Sequence, residues 1–112
     1  MERDPDHEII DRPHEYRIAD LRYSAGLDGE EAFVDLELRK ESTVRRLRFW
    51  SPQQFEIEPG FPLPTHGMLI LDVRRRRLEG LGVWVTDFEG NNGSVTFWAR
   101  EVVDLDALEA TS

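Results

Sequence analysis

The most conspicuous candidate for chemistry in this chain is a run of four arginines, Arg74 to Arg77. A guanidinium binds phosphate or carboxylate groups in a bidentate manner, so the run could grip an anion. Four adjacent positive charges also repel one another and need neutralising partners, and Asp72 and Glu79 stand nearby in the sequence. The formal net charge of −9 opposes the attraction of anions. We therefore expect carboxylates to neutralise the run, with an anion site as the alternative.

Other arginines alternate with tryptophans. Strand periodicity would place Arg46, Arg48 and Trp50 on one side of a strand, and Trp98 and Arg100 on one side of another. Arginine and tryptophan are enriched at the hot spots of protein interfaces. The residues predicted to contribute to an interaction surface are Arg46, Arg48, Trp50, Arg74, Arg75, Arg76, Arg77, Trp98 and Arg100.

A proline-rich loop with apolar side chains, residues 61–67, could cover the core or form the lip of a pocket. Its predicted lip residues are Phe61, Leu63 and His66. His66 could act as a general base. No serine, cysteine or carboxylate stands at a recognised spacing from it, so we expect a surface histidine without a catalytic role.

Carboxylates give a further set of candidates. Asp35 and Glu37 share one face of a predicted strand at roughly 7 Å, a separation at which paired acids can work, although a solvated strand face explains them more simply. The acidic segment 1–14 contains His7 and His14, but their spacing matches no metal-binding motif. The chain also lacks cysteine, a glycine-rich phosphate loop and a nucleophile elbow. We predict neither an enzyme nor a bound metal or cofactor.

The element that organises the rest is a predicted hairpin between residues 82 and 103. Two β-rich runs flank Gly-Asn-Asn-Gly at positions 90–93, a strong turn signal. If Asn91 and Asn92 form a two-residue turn, Glu89 lies opposite Ser94. One face then collects Trp84, Thr86, Phe88, Val95, Phe97 and Ala99. Because this set is apolar and aromatic, we predict that it is buried and that Trp84 is a core residue. Trp98 falls on the opposite face and is predicted to be half-buried or presented to a partner.

Alternating residues predict further strands before the hairpin. Residues 15–23 form a strand with a bulge near Ala19, and residues 32–40 form the cleanest half-buried strand. Residues 43–50 read as an edge strand because charges occupy both faces. The nearly continuous apolar run 68–73 is typical of a central strand.

The pattern predicts a mainly β protein. We expect a single small domain of about six to seven antiparallel strands, arranged as a sandwich or an open barrel, with little helix. Residues 1–14 are predicted to be an acidic, poorly ordered N-terminal arm, which Ile9 and Ile10 could still pin to the sheet. Residues 15–103 form the β domain, and residues 104–112 form a tail or a short helical turn.

These observations favour a non-enzymatic protein-interaction module. Its acidic balance suits a basic partner, and an immunity-type protein that neutralises a basic toxin would be one such case; self-association is another. One alternative is a small-ligand-binding β-barrel with the 61–67 loop as a lid and Trp84 or Trp98 lining the cavity. A second is nucleic-acid binding through the arginines, which the net charge disfavours. Without a signal peptide or a membrane-spanning run, we expect a cytoplasmic location and no membrane partner.

Overall fold

Eight β-strands dominate the computed structural model, which describes residues 4–61, 68–87 and 94–110. The elements are β1 (Arg17–Ser24), β2 (Phe33–Lys40), β3 (Thr43–Trp50), β4 (Gln53–Ile57), β5 (Met68–Asp72), β6 (Val83–Asp87), β7 (Val95–Ala99), β8 (Glu101–Asp104) and a short helix α1 (Leu105–Ala110). Short 3₁₀ turns occupy Pro13–Glu15 and Arg74–Arg76. The predicted mainly β, single-domain fold with little helix is confirmed. No helix within the described ranges has the length and apolar composition needed to cross a membrane.

The strands form two antiparallel sheets of four strands each. The first sheet has the order β1-β2-β3-β8, and the second has the order β4-β7-β6-β5. The inner faces of the two sheets share one hydrophobic core. At its centre the ring of Phe49 on β3 meets the ring of Phe97 on β7 edge-on, with centroids 5.1 Å apart. Of the two predicted arrangements, the sandwich is therefore the one that forms.

The first sheet follows the predicted alternation closely. On β2, Val34, Leu36 and Leu38 are buried, and the residues between them face outward. The pairing of β1 with β2 shifts between Ile18 and Asp20, which confirms the predicted bulge near Ala19. These strands were readable because one face of each meets the core and the other meets solvent.

The prediction that residues 43–50 form an edge strand is wrong. Strand β3 lies inside the first sheet between β2 and β8, and Phe49 pairs with Val102 of β8. Arginines on both faces of this segment predicted an exposed edge, yet neighbouring elements supply carboxylate partners for them. Arg48, for example, binds Asp35 on β2.

The prediction that residues 68–73 form a central strand is also wrong. Strand β5 is the last strand of the second sheet. Its sequence is nearly continuously apolar, although it lies at the edge, because the N-terminal segment runs along that edge and covers it. The His7 N–H donates to the Ile70 carbonyl at 2.8 Å, and the Asp72 N–H donates to the Pro5 carbonyl at 2.9 Å. Edge coverage of this kind satisfies backbone groups that would otherwise be open to another chain.

Residues 4–14, for which the sequence predicts a poorly ordered arm, lie against the sandwich. Ile10 is 4% exposed and belongs to the shared core, so it pins this segment to the sandwich. The Arg45 guanidinium donates to the Ile9 carbonyl at 2.7 Å. We call residues 4–14 the arm.

The hairpin between β6 and β7 forms, but in a different register from the predicted one. Trp84 pairs with Trp98 and Val85 pairs with Phe97, a slip of one residue from the register of an Asn91-Asn92 turn. A one-residue slip moves every side chain of a strand to the other face. Trp84 is consequently half-buried on the outer face, and the prediction that it is a core residue is wrong.

On β6 the buried residues are Val83 and Val85 instead, whereas on β7 Val95, Phe97 and Ala99 are buried as predicted. The predicted turn at positions 91 and 92, and Phe88, lie outside the described residues.

Candidate interaction site on the second sheet

The outer face of the second sheet carries a stacked pair of tryptophans. Trp84 on β6 and Trp98 on β7 lie directly opposite each other, with rings parallel to within 2° and centroids 4.6 Å apart. Cross-strand aromatic pairs of this kind stabilise a sheet. Both side chains are half-buried, as predicted for Trp98, so part of each ring system remains accessible. We call these residues the tryptophan pair.

An arginine from the predicted run lies over one end of the tryptophan pair. The Arg76 guanidinium is 5.7 Å from the ring centroid of Trp84 and 5.9 Å from that of Trp98, within range of a cation–π interaction. The buried Asp4 carboxylate of the arm holds this guanidinium, accepting from Nε at 3.0 Å and also from Nη2. The hydrogen bonds from Arg76 hold the pKa of Asp4 below its ordinary value.

A groove of about 210 Å³ opens at the other end of the pair. Its lining residues are Gln54, Glu56, Trp84, Thr86, Thr96, Phe97 and Trp98. Arg76 comes shortly after β5, whose last residue Asp72 pairs with Val83 at the start of β6. Thr86, which lines the groove, lies near the other end of β6, so Arg76 and the groove are at opposite ends of the tryptophan pair. The groove is smaller than the roughly 300–1,000 Å³ typical of ligand pockets, so a single side chain suits it better than a cofactor.

A β-bulge brings a carboxylate to this groove. Gln53 pairs with Trp98 and Glu56 pairs with Thr96, so β4 advances by three residues where β7 advances by two. Gln54, inside the bulge, has a φ of 53°, a left-handed conformation that is costly for a residue other than glycine. Without the extra residue Gln53 and Glu56 would point to opposite faces. The bulge thus sets Glu56 beside the tryptophan pair.

Trp50 and Arg48, which the sequence predicts in an interaction surface, lie on the outer face of the first sheet. The Arg48 guanidinium donates to both Asp35 carboxylate oxygens at 2.8 and 2.9 Å. It also lies 3.8 Å from the ring centroid of Phe33 and 5.3 Å from that of Trp50. Because Trp98 is on the outer face of the other sheet, the structure does not bring these residues together with it.

Arg46 and its neighbour Arg45 attach the C-terminal segment. The Arg46 Nε donates to Asp106 at 2.9 Å, and the Arg45 guanidinium donates to Asp104 at 2.8 Å. Both guanidiniums therefore form ion pairs with carboxylates of the chain itself.

Carboxylates neutralise most of the arginine run. Asp72 accepts hydrogen bonds from the backbone and side chain of Arg74, which lower its pKa to about 2. Asp4 pairs with Arg76 and lies 3.9 Å from the Arg75 guanidinium. Within the described residues Arg77 has no ion pair.

Arg100 is directed away from the tryptophan pair by its own partners. Its guanidinium donates to both carboxylate oxygens of Glu31 at 2.8 and 2.9 Å, and to Glu101 at 2.9 Å. Since its backbone N–H also donates to the Trp50 carbonyl, Arg100 marks the point where the chain crosses back to the first sheet.

Two clefts of about 440 and 310 Å³ flank the arm, and His7 lines both of them. The His7 Nδ1 accepts a hydrogen bond from the Ile9 N–H at 3.0 Å, and burial lowers the pKa of this imidazole. Among residues 4–61, 68–87 and 94–110, no group of three or more potential metal ligands is close enough to hold an ion.

The alternative of a ligand cavity behind the 61–67 loop has Trp84 or Trp98 in its lining. Both tryptophans instead lie on the outer face of the second sheet. Phe61 is partly buried against the core, and the predicted lip residues Leu63 and His66 lie outside the part of the chain that the structure describes.

Sequence reasoning missed two carboxylates beside the tryptophan pair, Glu56 and Asp4. Glu56 stands between Phe55 and Ile57, and this alternation marks it as outward-facing, but the bulge that aligns it with Thr96 leaves no sequence signal. Asp4 is 72 residues from Arg76, so nothing local indicates their contact.

Comparisons with protein-family models, with curated proteins and with solved structures find no match to this chain.

Proposed function

We propose that this protein is a non-enzymatic interaction module that binds a basic protein partner through the outer face of its second sheet. The observation that carries the proposal is the half-buried, stacked tryptophan pair with the exposed Glu56 beside it. Tryptophan contributes a large contact area at a small entropic cost and is strongly enriched among hot-spot residues.

Charge supports a basic partner. The formal net charge of −9 creates a field that attracts cationic proteins and speeds their encounter. Several of the arginines that could have reversed this field locally are engaged by the chain's own carboxylates, as at Arg48, Arg74 and Arg76.

The test is affinity capture with matched tryptophan variants, followed by measurement with the purified partner. The immobilised chain is compared with Trp84→Ala, Trp98→Ala and the control Trp50→Ala, at low and at physiological salt. We expect the wild-type chain and Trp50→Ala to retain the same basic protein, and the other two variants to lose it. With the two purified proteins, the dissociation constant of the complex should rise at least about tenfold after Trp98→Ala, the loss expected for a hot-spot residue.

Two results would contradict the proposal. One is a partner whose dissociation constant is unchanged by both Trp84→Ala and Trp98→Ala. The other is a dimer of this chain in sedimentation that dissociates after Trp84→Ala or Trp98→Ala, which would replace the basic partner by a second copy.

A further inference from the structure

We infer that the partner presents an arginine, whose guanidinium stacks on the tryptophan pair from the groove side and pairs with the Glu56 carboxylate. This inference rests on the proposed function and specifies the group that is recognised.

Within the described residues, the chain itself holds an arginine in this way at two places. Arg76 lies over the tryptophan pair and is held there by Asp4. Arg48 lies over the rings of Phe33 and Trp50 and is held by both oxygens of Asp35. In each case a carboxylate fixes a planar cation against an aromatic surface, an arrangement to which arginine is better matched than lysine.

The groove offers the same components for an incoming side chain. Its lining includes the tryptophan pair and four polar residues, Gln54, Glu56, Thr86 and Thr96. The carboxylate, carboxamide and hydroxyl oxygens of such side chains can accept several of the five N–H groups of a guanidinium. Glu56 is exposed, and within the described part of the chain no ion pair engages it.

The alternatives fit less well. A phosphate or carboxylate would be repelled by Glu56 and by the net charge of −9. An uncharged apolar side chain would leave Glu56 without a partner at a closed interface, which costs free energy. A groove of about 210 Å³ accommodates the end of one long side chain, and its carboxylate selects a cation.

The experiment uses the three indole N–H signals of the full chain in ¹H–¹⁵N NMR spectra. The probe is the blocked peptide acetyl-Gly-Arg-Gly-amide, and the matched control is the same peptide with citrulline, which keeps the shape and loses the charge. We expect the arginine peptide to shift the signals of Trp84 and Trp98 in a saturable manner and to leave Trp50 in place. The citrulline peptide should shift none of them.

A pair of isosteric variants then tests the carboxylate. Glu56→Gln should raise the dissociation constant of the arginine peptide about fivefold, the effect of losing one charge-assisted pair at an exposed site. Glu58→Gln removes an equally exposed carboxylate that does not line the groove, and should leave the affinity unchanged. Equal binding of arginine and citrulline peptides, no effect of Glu56→Gln, or no shift at tens of millimolar peptide would each overturn the inference.

The captured partner separates this inference from the proposed function. If partner binding is lost in Trp98→Ala but unaltered in Glu56→Gln, the interaction surface stands and the arginine contact is wrong. If neither substitution affects the partner, the proposed surface itself is wrong.

Discussion

At the scale of single residues, neighbouring aromatic side chains on β7 have opposite roles. Phe97 is 1% exposed and contacts Phe49 and Phe55 with centroid distances of 5.1 and 5.5 Å. Trp98, the next residue, stacks on Trp84 at the surface. The first residue therefore belongs to the core that holds the fold together, and the second to the surface available for binding.

This difference predicts unequal costs of truncation. Phe97→Ala should lower the free energy of unfolding by about 3–5 kcal/mol, because it leaves a cavity in a closed core. Trp98→Ala should cost only about 1–2 kcal/mol, since part of the ring is already exposed and no closed cavity forms. Urea denaturation followed by circular dichroism measures both. A larger loss from Trp98→Ala than from Phe97→Ala would show that the register of β6 and β7 is wrong.

Asp72 predicts a specific pH dependence of stability. Its pKa is lowered from 3.8 to about 2, chiefly by the side-chain hydrogen bonds from Arg74. The folded protein thus binds fewer protons at this site than the unfolded chain, so the stabilisation is complete above the unfolded pKa and is lost as the pH falls from about 4 to about 2. Asp72→Asn should cost roughly 1–2 kcal/mol at pH 7, with the half-exposed Arg74 limiting the effect.

The measurement is the difference in unfolding free energy between wild type and Asp72→Asn as a function of pH. That difference should shrink towards zero near pH 2. A constant difference from pH 7 to pH 2 would mean that the Asp72–Arg74 contact does not form.

At the scale of elements, the arm completes the second sheet. It covers the open edge of β5 with backbone hydrogen bonds and inserts Ile10 into the shared core. It also carries Asp4, which positions Arg76 over the tryptophan pair. The arm therefore links the stability of the sheet to the geometry of the proposed binding face.

Ile10→Ala tests this docking. We expect a loss of about 2–4 kcal/mol, because Ile10 is 4% exposed and its removal leaves a cavity. The amides of His7 and Asp72, which pair across the arm and β5, should exchange with solvent faster than in wild type. Ile9→Ala is the matched control, since Ile9 is only partly buried and should cost less. Equal exchange of these amides in Ile10→Ala and wild type would indicate that the arm is held by other contacts.

The elements also show how far sequence reasoning reached. Strand β2 was predictable because Val34, Leu36 and Leu38 alternate with charged residues, so only one face can be buried. The hairpin of β6 and β7 and the buried face of β7 were predictable, but the buried face of β6 was not. Val83 and Val85 on one side of β6 are as apolar as Trp84 on the other, so periodicity alone does not decide which face is buried.

Which strands lie at the ends of the sheets could not be read from the sequence either. Strand β3 becomes an interior strand only because β8, about fifty residues later, pairs with it, as in Phe49 with Val102. Strand β5 is buried because the arm, from the start of the chain, covers it. The candidate site could not be predicted for the same reason, because long-range contacts bring together Glu56, Trp98 and Asp4 from three distant parts of the chain.

At the scale of the whole molecule, the two sheets are interwoven. The chain builds β1 to β3 in the first sheet, β4 to β7 in the second, and then returns to place β8 beside β3. Neither sheet has a core of its own, because the buried side chains of both form one cluster with Phe49 against Phe97. The proposed binding face therefore depends on the integrity of the whole sandwich.

We accordingly expect one cooperative unfolding transition, and the tryptophans allow each sheet to be followed separately. In Trp50→Phe, the remaining fluorescence reports on the second sheet through Trp84 and Trp98. In the double variant Trp84→Phe and Trp98→Phe, it reports on the first sheet through Trp50. Within each variant the fluorescence transition should coincide with the loss of β-sheet circular dichroism, as two-state unfolding requires. The opposite outcome would be that the fluorescence of Trp84 and Trp98 changes at a lower urea concentration than the circular dichroism. The second sheet would then unfold independently, and its interaction surface could open while the first sheet stays folded.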